Sequence, residues 1–110
     1  MNFESDVLKT SSPVVVDFYA DWCEPCKLVA PILERLEKEY AGKFKLVKVD
    51  INQNQELVGA YGVMSIPTVI FFNKGVPMES VIGAVSEQAF KQKIDRLVAS
   101  SHKRPVSLYG

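Results

Sequence analysis

The stretch Val14-Val15-Val16-Asp17-Phe18-Tyr19-Ala20-Asp21-Trp22-Cys23-Glu24-Pro25-Cys26-Lys27 runs an apolar strand-like segment into a helix-like one and sets both cysteines of the chain at the join. If a helix starts at about Cys23, that residue lies where backbone N-H groups have no partner within the helix and the macrodipole is positive, so a thiolate is stabilised there. The C-x-x-C spacing brings Cys26 under Cys23 within one helical turn, close enough to close a small disulfide or share a proton. Pro25 suits a first helical turn, which has no use for the missing N-H. Trp22 is expected to stand beside an exposed Cys23 sulfur as a flat apolar surface. Two buried helix cysteines, or half of a zinc site, are the competing readings. Zinc usually takes four protein ligands, and the only histidine is His102, far along the chain, so no metal is expected.

Val14 to Ala20 is a near-continuous apolar run of the kind found in a strand covered on both faces. Asp17 is its anomaly. With both faces covered, no water reaches the carboxylate, and desolvation should raise its pKa; an open strand end that leaves Asp17 solvated is the alternative. Phe44 to Ile51 alternates, with Phe44, Leu46, Lys48 and Asp50 on one face and Lys45, Val47, Val49 and Ile51 on the other. Lys48 is thus a second polar intruder, able to reach Asp17 from a neighbouring strand or to snorkel off the strand end.

Between and around these strands the signals are helical. Phe3 to Lys9 reads as a short amphipathic helix with Phe3, Val7 and Leu8 on one side. Cys26 to Tyr40 carries Val29, Ile32, Leu33, Leu36 and Tyr40 at helical spacing, with a kink expected at Pro31 and an end at Gly42. Gln55 to Tyr61 forms a short helix ending at Gly62. Thr68 to Phe72 and Met78 to Ile82 flank the turn signal Asn73-Lys74-Gly75 and should pair as an antiparallel hairpin. Gly83 ends that hairpin, Ser86 is a good N-cap, and Phe90, Ile94, Leu97 and Val98 stripe the last helix. Helix, strand, helix, strand, helix, hairpin, helix makes an α/β domain: a central mixed β-sheet with helices on both faces.

The 110 residues allow one domain, taken as 1-100 with a polar tail at 101-110, and 47% hydrophobic against 24% charged residues is a globular balance. Net charge is zero, so no basic field invites nucleic acid or an anionic membrane. The acidic start lacks the pattern of a signal peptide, and no run approaches a membrane span, so the expected location is cytoplasmic.

Taken in order, Val16-Asp17-Phe18, Trp22-Cys23-Glu24-Pro25-Cys26-Lys27, Ala30-Pro31-Ile32, Lys48-Val49-Asp50, Ile66-Pro67-Thr68 and Val81-Ile82-Gly83-Ala84 make the chain similar to the thioredoxin family from about Phe3 to Val98. The resemblance implies the thioredoxin fold and a thiol-disulfide oxidoreductase that reduces protein disulfides. Cys23 is then the attacking thiolate, Cys26 resolves the mixed disulfide, and Asp17 moves a proton to or from Cys26 with Lys48 tuning it. It further implies a cis Ile66-Pro67 bond that sets Pro67 against the sulfurs. Trp22, Glu24, Pro25, Ile51, Ile66, Gly83 and Ala84 would form the docking surface for disulfide-containing protein substrates. The resemblance also implies no bound cofactor, electrons drawn from NADPH through a thioredoxin reductase, and a monomer.

Three departures stand out. Glu24 replaces the glycine typical of the motif, where it bears on partner choice more than on potential, or is simply an exposed glutamate. Tyr19 replaces a typical tryptophan. Because Phe3 already aligns with the family's first helix, the strand that precedes it in the family is expected to be lacking, which would leave Phe44 to Ile51 as a sheet edge; the alternating Val106-Ser107-Leu108-Tyr109 could fold back or pair with another molecule to cover it, or the tail could be disordered. An oxidase or isomerase of the same fold, and a non-catalytic binding module, are the competing functions.

Overall fold

In the computed structural model, which describes residues 1–102, β1 (Val14–Tyr19) is the axis of the molecule. It pairs in parallel with β2 (Lys45–Asp50) on one side and antiparallel with β3 (Thr68–Asn73) on the other, and β4 (Val76–Ile82) completes a four-stranded sheet of order β2-β1-β3-β4. The parallel pair is joined through α1 (Glu24–Glu39), the crossover that a strand-helix-strand order demands. α2 (Gln55–Ala60) and α3 (Glu87–His102) precede and follow the hairpin. The expected mixed sheet and element order are thus present.

Both faces of β1 are covered, as its unbroken apolar run requires. On one face Val15 packs with Val29, Leu33 and Leu36 of α1, Phe90, Ile94 and Leu97 of α3, and Val69 and Phe71 of β3. On the other, Val14, Val16 and Phe18 meet Phe3, Val7, Val49, Ile70 and Phe72, with Leu57 and Tyr61 packed against them. Each such side chain contributes roughly 1.5–3 kcal/mol on burial, so these two clusters hold the layers together. The alternation of β2 is as expected: Phe44 and Leu46 join the first cluster, Val47, Val49 and Ile51 the second.

The N-terminal segment is a single π-type helical turn, Glu4–Leu8, pinned by Phe3, whose ring lies 5.7 Å from Tyr61 and 6.0 Å from Phe72. Phe3 and Val7 face inward, but Leu8, expected beside them, is exposed. The wide turn closes from the Lys9 N-H onto the Glu4 carbonyl and carries Leu8 past the core. That chain end instead meets the hairpin tip. Gly75 (φ 80°) sits so close to Leu8 that a Cβ would collide with the Leu8 carbonyl oxygen, a second reason beside its positive φ for glycine there.

The hairpin is also tighter than expected. Asn73 pairs with Val76, leaving a two-residue turn of Lys74 and Gly75, both at positive φ, and β4 begins at Val76, ahead of Met78. Pro77 is accommodated because β4 is an edge strand, where a missing N-H leaves no ladder partner unmet. α1 runs on through Pro31, and α3, whose first turn is capped by the Ser86 hydroxyl accepting from the Ala89 N-H at 3.2 Å, continues to His102, past the expected boundary of the tail. Among the described residues β2 is a sheet edge; the segment Val106 to Tyr109, expected as one possible cover for it, lies outside the described residues.

Candidate active site

Cys23 is the N-cap of α1. Its backbone is extended (φ −90°, ψ 109°), and its Sγ accepts a hydrogen bond from the Cys26 N-H at 3.2 Å, taking the place that a serine or aspartate oxygen usually fills. Pro25 stands in the first turn, and Cys23 and Cys26, with Cα atoms 5.3 Å apart, are joined as a disulfide. The chain therefore delivers the sulfurs where strand β1 ends and helix dipole begins, as the sequence suggested. The expected exposure of Cys23 is corrected: both cysteines are nearly buried, tucked against Ala20, Tyr19, Ile51 and Ile66, while the adjacent Trp22 is 66% exposed.

One side of the disulfide is an apolar groove of about 230 Å³, lined by Trp22, Ile51, Val58, Val63, Met64, Ser65 and Ile66. Trp22, Ile51 and Ile66 were expected there; Val58, Val63 and Met64 were not. Met64 is almost fully exposed, and a large apolar side chain in a loop just ahead of Ile66-Pro67 was the signal available in the sequence. The Ile66-Pro67 bond is cis and Pro67 is buried. Gly83 and Ala84 do not line this groove. Gly83 instead donates its N-H to the Pro67 carbonyl at 2.8 Å, behind the proline.

The other side carries charged groups. A cleft of about 140 Å³ is lined by Tyr19, Ala20, Asp21, Cys26, Lys27, Ala30 and Lys48. Asp17 lies next to Lys48 in register across β1 and β2, completely buried, and neither of its oxygens meets a protein hydrogen-bond donor. Burial pushes its pKa up to about 6, with the Lys48 charge pulling it down and the Glu34 charge pushing it up. The idea that Lys48 reaches Asp17 is corrected in part. The two are register neighbours, yet the Lys48 ammonium pairs with Glu34 at 3.6 Å and sits 5.0 Å from the Tyr19 ring centroid. At the cleft mouth the ammonium keeps its hydration and meets an anion and an aromatic face, whereas entering the low-dielectric interior beside Asp17 would cost desolvation. Glu34 is a residue that sequence reading missed.

Glu24 faces solvent, its side chain 82% exposed and paired with Lys27 at 3.1 Å. Among the described residues no group of three or more His, Cys, Asp or Glu side chains could hold a metal ion, and no helix is long and apolar enough to cross a membrane. A buried dithiol-disulfide pair at a helix N-terminus, between an apolar groove and an acid held in its protonation range near neutrality, is equipped for thiol-disulfide exchange.

Comparison with known proteins agrees. The chain is 44% identical over 99 residues to "Thioredoxin M5, chloroplastic" of Oryza sativa subsp. japonica, covering 90% of this chain and 58% of that protein. It is 42% identical over 94 residues to "Thioredoxin" of Pseudomonas aeruginosa, covering 86% and 87%, and 39% identical over 94 residues to "Thioredoxin 1" of Nostoc, covering 86% and 88%. The chain thus spans little more than half the length of the chloroplast-named relatives and most of the bacterial ones. Residues 1–96 match the family model described as Thioredoxin, and the chain belongs to the thioredoxin family.

Proposed function

We propose that the chain is a protein-disulfide reductase working through its Cys23-Cys26 dithiol. The observation that carries this reading is the Cys23-Cys26 disulfide capping α1 between an apolar groove and a buried acid. In the reduced form the Cys23 thiolate attacks a substrate disulfide, one substrate sulfur leaves as a thiolate, and a mixed disulfide joins Cys23 to the other. Cys26 then gives up its proton toward Asp17, attacks Cys23 and releases the second substrate sulfur. Two electrons pass to the substrate, and the Cys23-Cys26 disulfide remains. Trp22, Ile51 and Ile66, with Val58, Val63 and Met64, hold an extended apolar segment of the partner; Pro67 fixes the cis turn that follows Ile66, its carbonyl accepting from the Gly83 N-H, with Ala84 next in the chain.

The cycle closes when a thioredoxin reductase, drawing on NADPH, returns two electrons to the disulfide, so the chain takes part in electron transport and cell redox homeostasis with no bound cofactor of its own. Partners are disulfide-containing proteins chosen by shape and apolar contact, met by a monomer, with no role for nucleic acid or membrane. A reducing compartment fits this cycle. We place it in the cytoplasm, and the plant relatives named as chloroplastic support a plastid as the second location.

The test is the reduction potential of the dithiol together with reduction of a protein disulfide such as that of insulin. A potential near about −270 mV, the established value for thioredoxin itself, with turnover, supports the reductase. A potential near about −120 mV would turn the assignment to an oxidase or isomerase. Retention of partners by a double Cys→Ser variant, with no turnover in the parent, would make the fold a binding module.

A further inference from the structure

Asp17 is buried without a protein hydrogen-bond partner while the lysine beside it on the next strand is paired with Glu34 instead. Asp17 and Lys48 point to the same face of the sheet, the one covered by α1. Beside Asp17 on that face stands Lys48 of β2, whose ammonium is paired with Glu34 of α1; Tyr19, Asp21, Cys26 and Lys27 line the cleft that Lys48 also lines, Asp50 follows on the same face of β2, and the register partner of Asp17 on β3 is the uncharged Val69. Of these neighbours, Asp50 is engaged by the Asn52 N-H at 2.9 Å, and Lys27 by Glu24. Glu34 is the carboxylate in an ion pair with Lys48, while the Tyr19 ring lies against the same ammonium.

We propose that Glu34 is a positioning residue of the proton path: with the Tyr19 ring, its carboxylate anchors the Lys48 ammonium at the mouth of the charged cleft and keeps it off the buried Asp17 carboxyl. The consequence is electrostatic. An ammonium drawn inward would form a close pair with Asp17 and hold it ionised, and a carboxylate so paired is a weaker proton acceptor for the Cys26 thiol. An ammonium held at the mouth leaves Asp17 basic enough to take that proton. Glu34 thus acts through Lys48, and it touches neither the sulfurs nor a substrate.

The inference rests on the reading of Cys23 and Cys26 as a reducing dithiol, yet its test does not need turnover. The Asp17 carboxyl is followed by ¹³C NMR against pH in the oxidised full chain, in four forms: the parent, Glu34→Gln, Lys48→Met, and the double variant. Glu34→Gln is expected to lower the Asp17 midpoint by about half a pH unit or more, because Lys48 is released toward Asp17 and a like charge is removed. In the Lys48→Met background the same substitution is expected to move the midpoint by less than half as much, since the residue that Glu34 anchors is gone. No downward movement in the first case, or an equal or nearly equal one in both, overturns the proposal in favour of a direct field or a surface pair without consequence. Reduction of insulin by the parent, measured alongside, reports separately on the reductase reading: a parent that fails there while the titrations behave as expected loses the function and keeps the positioning.

Discussion

The two sides of the disulfide differ in the side chains they present. The groove beside Trp22 is apolar, and its side chains come from the ends of β1 and β2, from α2 and from the loop before the cis-proline; the cleft beside Cys26 carries charged groups and is framed by β1, β2 and α1. Neither sulfur could be served by both environments at once. An apolar rim holds a partner chain by burying area, which a charge would oppose, while a proton acceptor needs a charge that an apolar rim would exclude. Under the proposed reductase cycle, attack by Cys23 and resolution by Cys26 would be divided across one short disulfide, with Trp22, the neighbour of Cys23, lining the groove and Cys26 lining the charged cleft.

The cysteines themselves break the comparison most severely. Cys23→Ser is expected to abolish reduction of a protein disulfide, by roughly three orders of magnitude or more as for loss of a catalytic nucleophile. Cys26→Ser should leave the first attack intact and accumulate a covalent complex through Cys23, seen as a mass adduct that a reductant removes. If the two variants behave alike, the division between the sides is wrong.

On the proton side alone, Asp17→Asn separates catalysis from stability. The folded pKa of Asp17, about 6, lies above the ordinary 3.8, so the folded state holds a proton more tightly than the unfolded chain. The stability this provides is fully present below about pH 4 and is lost as pH rises through about 6, an amount on the order of 3 kcal/mol. Denaturant unfolding of the parent should show that decline between those limits, and Asp17→Asn should remove it and be the more stable protein at pH 8. Its resolution step should be slower at the same pH. A parent whose stability is flat from pH 4 to pH 7 would mean that Asp17 is solvated after all.

Met64→Asp does the reverse, disturbing only the groove. It is expected to lower kcat/KM for a protein disulfide about tenfold, in the range of a single interface side chain, while leaving reduction of a small aromatic disulfide unchanged. Equal losses on both substrates would place Met64 in the chemistry instead of the docking.

How much of this was legible in the sequence follows the range of each interaction. β1, the N-cap position of Cys23 and the anomaly of Asp17 are local patterns, a run, a spacing and a misplaced charge, and they read correctly. Lys48 was located by alternation on β2, but its partner was not. Glu34 is one of several glutamates along α1, with Glu37 and Glu39 on the same helix, and nothing in the periodicity marks which of them faces β2. The burial of the sulfurs under Ile51 and Ile66 likewise depends on two segments more than twenty residues away in sequence. The tight hairpin escapes a reading by composition because Lys74 accepts a positive φ that composition alone assigns to glycine or asparagine.

The smallest effect is the sharpest test of the boundary between the two sides. Glu24 is adjacent to Cys23 in sequence, so a reading by proximity gives its carboxylate a say in the thiolate and hence in the potential. In the structure it is turned to solvent and already paired with Lys27. Exposed pairs of this kind are worth less than about 1 kcal/mol, and about 30 mV corresponds to 1.4 kcal/mol for a two-electron couple, so Glu24→Gln should move the potential by less than about 20 mV. Its influence should appear in association instead. Removing an exposed charge next to Cys23 in sequence changes the rate of encounter with charged partners, and the change should shrink as salt is raised from about 0.01 to 0.15 M, where the screening length falls from about 30 to 8 Å. A shift beyond about 20 mV with encounter rates unaltered would put Glu24 in contact with the chemistry of Cys23, and the separation of docking from redox tuning would have to be redrawn one residue closer to the sulfur.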